Sequence, residues 1–182
     1  STTAQMNEFL QGVNPQVEVF LTATWSRADM TYLPDRPWSG KPIGQMARDV
    51  RAGYDRAAAG ASGVKSVNAV GEAWTRAMDS GLADPNPYDG IELDKIDLWT
   101  FDHYHASIWG YYLEALVVFG NLTGLDPRSL GDNECSGFEL GMTVPQVKGL
   151  QQAAFDQLAS EDRVTPAPLV LPRRVAPQPC VM

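Results

Sequence analysis

The chain has 182 residues, 44% of them hydrophobic and 20% charged, enough to close one hydrophobic core without disulfide or metal staples. Its net charge of −8, with Lys and Arg scattered along the chain, excludes the clustered positive field that nucleic-acid binding needs. No run approaches 18 apolar residues, which excludes a membrane-spanning helix.

The predicted elements alternate. Residues 2–12 read as an amphipathic helix stopped by Gly12, with Asn14-Pro15 as the turn. "VEVFLTATW" (17–25) is rich in β-branched and aromatic residues and nearly continuous in hydrophobicity, the pattern of a strand buried on both faces of a parallel sheet. After a loop holding Pro34, Pro37 and Gly40, residues 42–60 form a helix with Pro42 near its first position and Ile43, Met46, Ala47, Val50 and Tyr54 as its apolar stripe. "KSVNAVG" (65–71) is a second strand, followed by a helix over 72–81. Residues 83–95 are turn chemistry, with Asp84, Asp89 and Asp97 as turn formers and 96–100 as a short extended segment. An apolar helix spans 107–119 and closes near Gly120, and a last helix spans 143–160 with Thr143 as its N-cap. From Glu161 onward "PAPLVLPRRVAPQP" carries five prolines, so 161–182 reads as a disordered or surface-draped tail behind a single 1–160 domain.

Both histidines stand in "FDHYHASIWG" (101–110). Asp102 and His105 form a D-x-x-H pair at the mouth of a helix. On a turn, such a carboxylate can accept the proton of one ring nitrogen and leave the other free as a base. A base so placed is worth roughly 10²–10⁴ in rate. The competing reading makes Asp102 a helix cap and His105 an ordinary histidine.

The longer pattern D-x-x-H-x-S-x-x-G, completed by Ser107 and Gly110, resembles the last block of the SGNH (GDSL-type) hydrolases, serine esterases on a flavodoxin-like fold. "TATWSRADMTY", "VGEAW" and "NLTGLDPRSLG" are similar to bacterial members of that superfamily. The resemblance implies a flavodoxin-like three-layer α/β sandwich with a mainly parallel sheet. It implies His105 as general base and Asp102 as its orienting acid, with Ser107 and Gly110 shaping the turn and helix start. It implies no cofactor and no metal, and a small-molecule ester or acylated carbohydrate as substrate. The family's G-D-S nucleophile block and its oxyanion-hole blocks have no counterpart here. The chain therefore reads as the C-terminal portion of such an enzyme, its sheet incomplete, with the nucleophile supplied by an N-terminal half or a partner chain. The rival reading is a non-catalytic binding module on a hydrolase-like scaffold.

Three internal nucleophiles are weaker candidates. Ser62 in "GASGV" lacks the second glycine of a nucleophile elbow, Ser26 lies just past a strand end, and Cys135 sits in "GDNECSG". Cys135 and Cys180 have no zinc-type spacing; the two could pair with each other, but with Cys180 in the Pro-rich tail they read first as two free thiols. His103 and His105 make an H-x-H pair that on a strand could hold a metal, but no further ligand accompanies them, and His103 reads as a surface or hydrogen-bonded residue. Trp25 and Trp38 flank the loop after the first strand and are candidates to line an acyl or sugar pocket. "NLT" at 121–123 is a glycosylation sequon in form only.

Overall fold

The computed structural model describes residues 2–166, and the fold is mixed α/β. Two strands, β1 (Val19–Ala23) and β2 (Val64–Ala69), pair in parallel, with Leu21 opposite Val67 and Ala23 opposite Ala69. A register shift falls between Val19 and Phe20. Among the described residues there are seven α-helices: α1 (Thr2–Val13), α2 (Ala28–Thr31), α3 (Ile43–Ala59), α4 (Val70–Asp79), α5 (Ile108–Thr123), α6 (Cys135–Glu139) and α7 (Val144–Ser160). A 3₁₀ turn spans Pro127–Leu130.

Alternation along β2 sorts the helices into layers. Leu21 on β1 floors a groove walled by Thr3 of α1 and Val50, Gly53 and Tyr54 of α3, so these two helices share one face. Ser66 and Asn68 point to the other face, where Asn121 of α5 donates to both, at 2.9 and 2.7 Å. Asn68 passes the network on to Thr22 Oγ1 at 3.1 Å. The amide nitrogen of the sequon asparagine is thus committed inside the fold.

The core gathers where α4, α5 and α7 meet, around Leu98, Leu113, Val117 and Leu150, all fully buried. Trp74 and Trp99 are its largest members; Trp74 is stacked on Trp25 at 4.8 Å and edge-on to Trp99 at 5.5 Å. Burying an aromatic of this size removes roughly 150–250 Å² from water, a gross gain of about 4–6 kcal/mol.

Glycines set how closely these helices approach. A Cβ on Gly110 would lie 2.4 Å from the Leu98 carbonyl oxygen, and one on Gly120 would lie 2.3 Å from Leu158 Cδ1. Gly120 is therefore a packing position inside α5. The helix continues four residues beyond the sequence expectation and stops at Gly124, whose left-handed φ of 71° lets its N–H bond Gly120 O at 2.8 Å. The other predicted helices start and end within two residues of expectation. The short α2 and α6 carry no periodic signal.

α1 buries Asn7 and turns Met6, Phe9 and Val13 outward, between 57% and 73% exposed. Among the described residues β1 pairs only with β2, leaving its other edge open. Glu161 caps the end of α7 and bonds Arg51 of α3 through two contacts of 2.7 and 3.0 Å, and Val164 is buried in the core. Residues 167–182 lie outside the described part of the chain, Cys180 included. Cys135 is disulfide-bonded, which corrects the expectation of a free thiol there. No helix among the described residues is long and apolar enough to cross a membrane.

Candidate active site

The segment between β2's helix and α5 forms a small hairpin. Trp99 bridges Ala106 antiparallel, Thr100 N–H donates to His105 O at 2.8 Å, and His103 N–H donates to Thr100 O at 2.9 Å. Asp102 sits inside the turn and satisfies it. Its Oδ1 accepts from the Thr100 hydroxyl (2.8 Å) and from the backbone N–H of Tyr104 (3.0 Å) and His105 (2.9 Å). Its Oδ2 meets His105 Nδ1 at 2.5 Å. The His105 imidazole, joined by backbone N–H groups and the Thr100 hydroxyl, holds the Asp102 carboxyl well below the usual carboxylate range. The acid is a committed anion and hydrogen-bond acceptor.

The rest of the D-x-x-H-x-S-x-x-G pattern builds the ground under this pair. Ser107 caps α5: its hydroxyl accepts from Gly110 N at 3.3 Å and donates to Asp97 O at 2.7 Å. Gly110 lets the first turn of α5 lie directly on Trp74 and Leu98. His103 adopts a left-handed φ of 55°, and its carbonyl accepts the first backbone N–H groups of α2, from Ala28 at 3.1 Å and Asp29 at 3.4 Å. That kink sends the two histidines apart. The half-buried His103 ring packs on Tyr88 at 4.4 Å, whereas His105 turns to Asp102. Among the described residues no group of three or more His, Cys, Asp or Glu side chains is placed to hold a metal ion.

His105 lines a cleft of about 290 Å³ with Thr24, Trp25, Arg27, Met46, Tyr104 and Tyr111. Thr24 and Trp25 follow the C-terminal end of β1, the end where ligands collect in open α/β sheets. The Trp25 indole is fixed on three sides: Nε1 donates to Tyr104 O at 2.9 Å, one face stacks on Trp74, and Tyr111 meets it edge to face at 6.0 Å. The structure thus brings Asp102, His105 and Trp25 together. It does not bring Trp38, which donates to Asp49 Oδ2 at 2.8 Å on the outside of α3 and does not line the cleft.

The weaker nucleophile candidates are placed elsewhere. Ser26 is 3% exposed and inserts its hydroxyl into the first turn of α3, donating to Ile43 O at 2.6 Å and accepting from Ala47 N at 2.9 Å. Ser62 lies at the N-terminal end of β2, lining a different cavity with Asn7 and Gln11. The disulfide removes Cys135. No serine or cysteine lines the His105 cleft, where Thr24 carries the one aliphatic hydroxyl among the described residues.

Sequence reasoning missed Arg27, Tyr104 and Tyr111. Arg27 is two residues past Trp25 and Tyr104 sits inside the D-x-x-H block, so proximity to known candidates is the signal that could have found them. With Nδ1 engaged by Asp102, the ring nitrogen left for chemistry is Nε2. Compared with known proteins, the chain matches no family model, no curated protein and no solved structure.

Proposed function

We propose that this chain carries the acid–base half of a serine ester hydrolase of the SGNH type, on a flavodoxin-like three-layer sandwich whose sheet it supplies in part. The observation that carries the reading is the 2.5 Å Asp102–His105 contact on the wall of an aromatic cleft at the C-terminal end of a parallel strand. In this reading Asp102 keeps the proton on Nδ1, so Nε2 takes the proton of a serine hydroxyl as that oxygen bonds to the ester carbonyl carbon. The imidazolium, stabilised by the Asp102 carboxylate, then returns the proton to the departing alkoxide as the carbon–oxygen bond breaks. Water repeats the sequence on the acyl-enzyme, releasing the carboxylic acid and the free serine.

The serine comes from outside these residues, on an N-terminal half or a partner chain. Support comes from the cleft, which offers no serine, and from the edge of β1 that no strand among the described residues pairs, an edge an additional strand would cover. The substrate is a small ester or acylated carbohydrate. A second reading, a non-catalytic binding module, is favoured by the apolar rim near the cleft, where Phe101 is 95% exposed and Tyr104, Ile108 and Tyr111 are 42–50% exposed.

A fluorophosphonate probe with mass-spectrometric readout separates them. The chain by itself should carry no His105-dependent adduct. Expressed together with an N-terminal segment or partner chain that carries a G-D-S block, it should label one serine in that added part, and His105→Ala should abolish the label. An adduct on Thr24 or on any serine of residues 1–182 that vanishes in His105→Ala would place the nucleophile within the chain. No His105-dependent label in either form leaves the binding module.

A further inference from the structure

Asp102 alone does not fix the candidate base. The His105 side chain is 59% exposed, and a single hydrogen bond from Nδ1 leaves the ring free to rock about that contact. A base that must meet a hydroxyl has to hold its ring within roughly 10–20° of the productive direction. A second restraint is present. The His105 ring lies 4.3 Å from the Tyr104 ring, tilted by 38°, while the Arg27 guanidinium carbon stands 3.8 Å over the centroid of the same ring. A planar guanidinium at that height fills one face, so the imidazole takes the other.

Each layer of this stack is separately anchored. Arg27 is forked onto Asp29, Nε to Oδ1 at 3.0 Å and one terminal nitrogen to Oδ2 at 2.6 Å, which fixes the guanidinium plane. Tyr104 is held through its backbone at both ends, its N–H by Asp102 and its carbonyl by Trp25. Asp29 also neutralises a cation that would otherwise oppose the imidazole's gain of a proton.

We propose that Asp29, Arg27 and Tyr104 are positioning residues: they form a backstop that sets the plane of the His105 ring at the cleft wall. The proposal deepens the hydrolase reading, since an oriented imidazole matters most to a base. Its test needs no ester turnover, so the two fail separately.

The chain contains two histidines, so the His105 ring signals are assigned by a single His105→Gln comparison in a ¹³C/¹⁵N-labelled sample. The Tyr104 face should displace the His105 carbon-bound ring protons upfield of their unfolded positions, with cross-relaxation between the two rings. Tyr104→Leu should return them to the unfolded positions. Tyr104→Phe, which keeps the aromatic face, should restore the displacement. Arg27→Gln and Asp29→Asn should each move them part of the way, with the His103 signals, on Tyr88, unchanged. Tyr104 is an exposed hairpin residue, and the Phe and Gln variants keep the test valid if the Leu variant is damaged. Identical His105 signals in wild type and Tyr104→Leu, or in wild type and Arg27→Gln, would overturn the backstop.

Discussion

Replacing Gly110 by alanine tests how the site is seated on the core. The added methyl would sit 2.4 Å from Leu98 O, 2.5 Å from Trp74 Cζ2 and 2.8 Å from Trp74 Cη2, where ordinary contact begins at 3.4 Å. Something must move by about 1 Å. Trp74 is 1% exposed and stacked on Trp25, and Leu98 O is tied to Ser107 N at 2.9 Å, so neither yields freely. Overpacking of this kind costs about 1–3 kcal/mol and the backbone clash puts it at the upper end, while alanine's helix preference returns about 1 kcal/mol. The net loss is about 2 kcal/mol, or a Tm drop of about 4–8 °C for a domain of this size. Gly53, inside α3, is the control: its Cβ would meet nothing nearer than Arg56 at 3.8 Å, so Gly53→Ala should gain about 0.5–1 kcal/mol. Urea and thermal denaturation of both variants give the comparison. A Gly110→Ala protein as stable as the wild type would refute the close seating of α5, and with it the account of why glycine follows Ser107 at this spacing.

Ser26→Ala should lose about 1–3 kcal/mol in urea denaturation, because the buried hydroxyl serves both Ile43 O and Ala47 N; unchanged stability would return Ser26 to the list of reactive groups. Arg51→Met takes the cation from Glu72, whose Oε2 is buried without a partner, and leaves Glu161 with Arg163 at 3.9 Å, and should cost about 2–3 kcal/mol at pH 7. Burial raises the Glu72 carboxyl above its ordinary 4.5, so its share of stability is full below that value and is lost as pH rises through the raised one. The deficit of Arg51→Met should therefore narrow between pH 7 and pH 5, and a deficit independent of pH would contradict this. Asp102 has the opposite sign: its depressed pKa contributes stability present above 3.8 and lost as pH falls through the folded value. Amide protection at Tyr104 and His105, taken relative to the intrinsic exchange rate at each pH, should be constant near pH 5 and decline as pH falls from 3.8 toward the folded value, and Asp102→Asn should remove that dependence.

Much of the fold was legible because hydrophobic period and breakers agreed. The continuous apolar run at 17–25 and the shorter one at 65–71 gave both parallel strands, and Pro42, Thr143 and Ser107 marked helix starts through chemistry that the structure uses. The end of α5 was misplaced because a glycine chosen for helix packing, Gly120, looks like a glycine chosen for a left-handed cap, Gly124, until Leu158 is seen against it. The Asp102–His105 contact was readable from local spacing. The cleft around it was not, because Trp25 and Tyr104 lie 79 residues apart and meet only through tertiary packing. The position of Trp38 was hidden by the same limit: its distance along the chain from Trp25 is short, yet its indole turns to Asp49 on the outer side of α3. The pairing of Cys135 was hidden by loop-like composition on both sides of the sulfur.

The central claim is that Asp102 holds His105 with its proton on Nδ1 and its lone pair on Nε2. Long-range ¹H–¹⁵N correlation of the two imidazole nitrogens, recorded on neutral His105, reads this directly. An N–H-type shift is expected at Nδ1 and a lone-pair-type shift at Nε2, collapsing to an averaged pair in Asp102→Asn. A proton resident on Nε2, or wild-type nitrogens already averaged between the two tautomers, would contradict it.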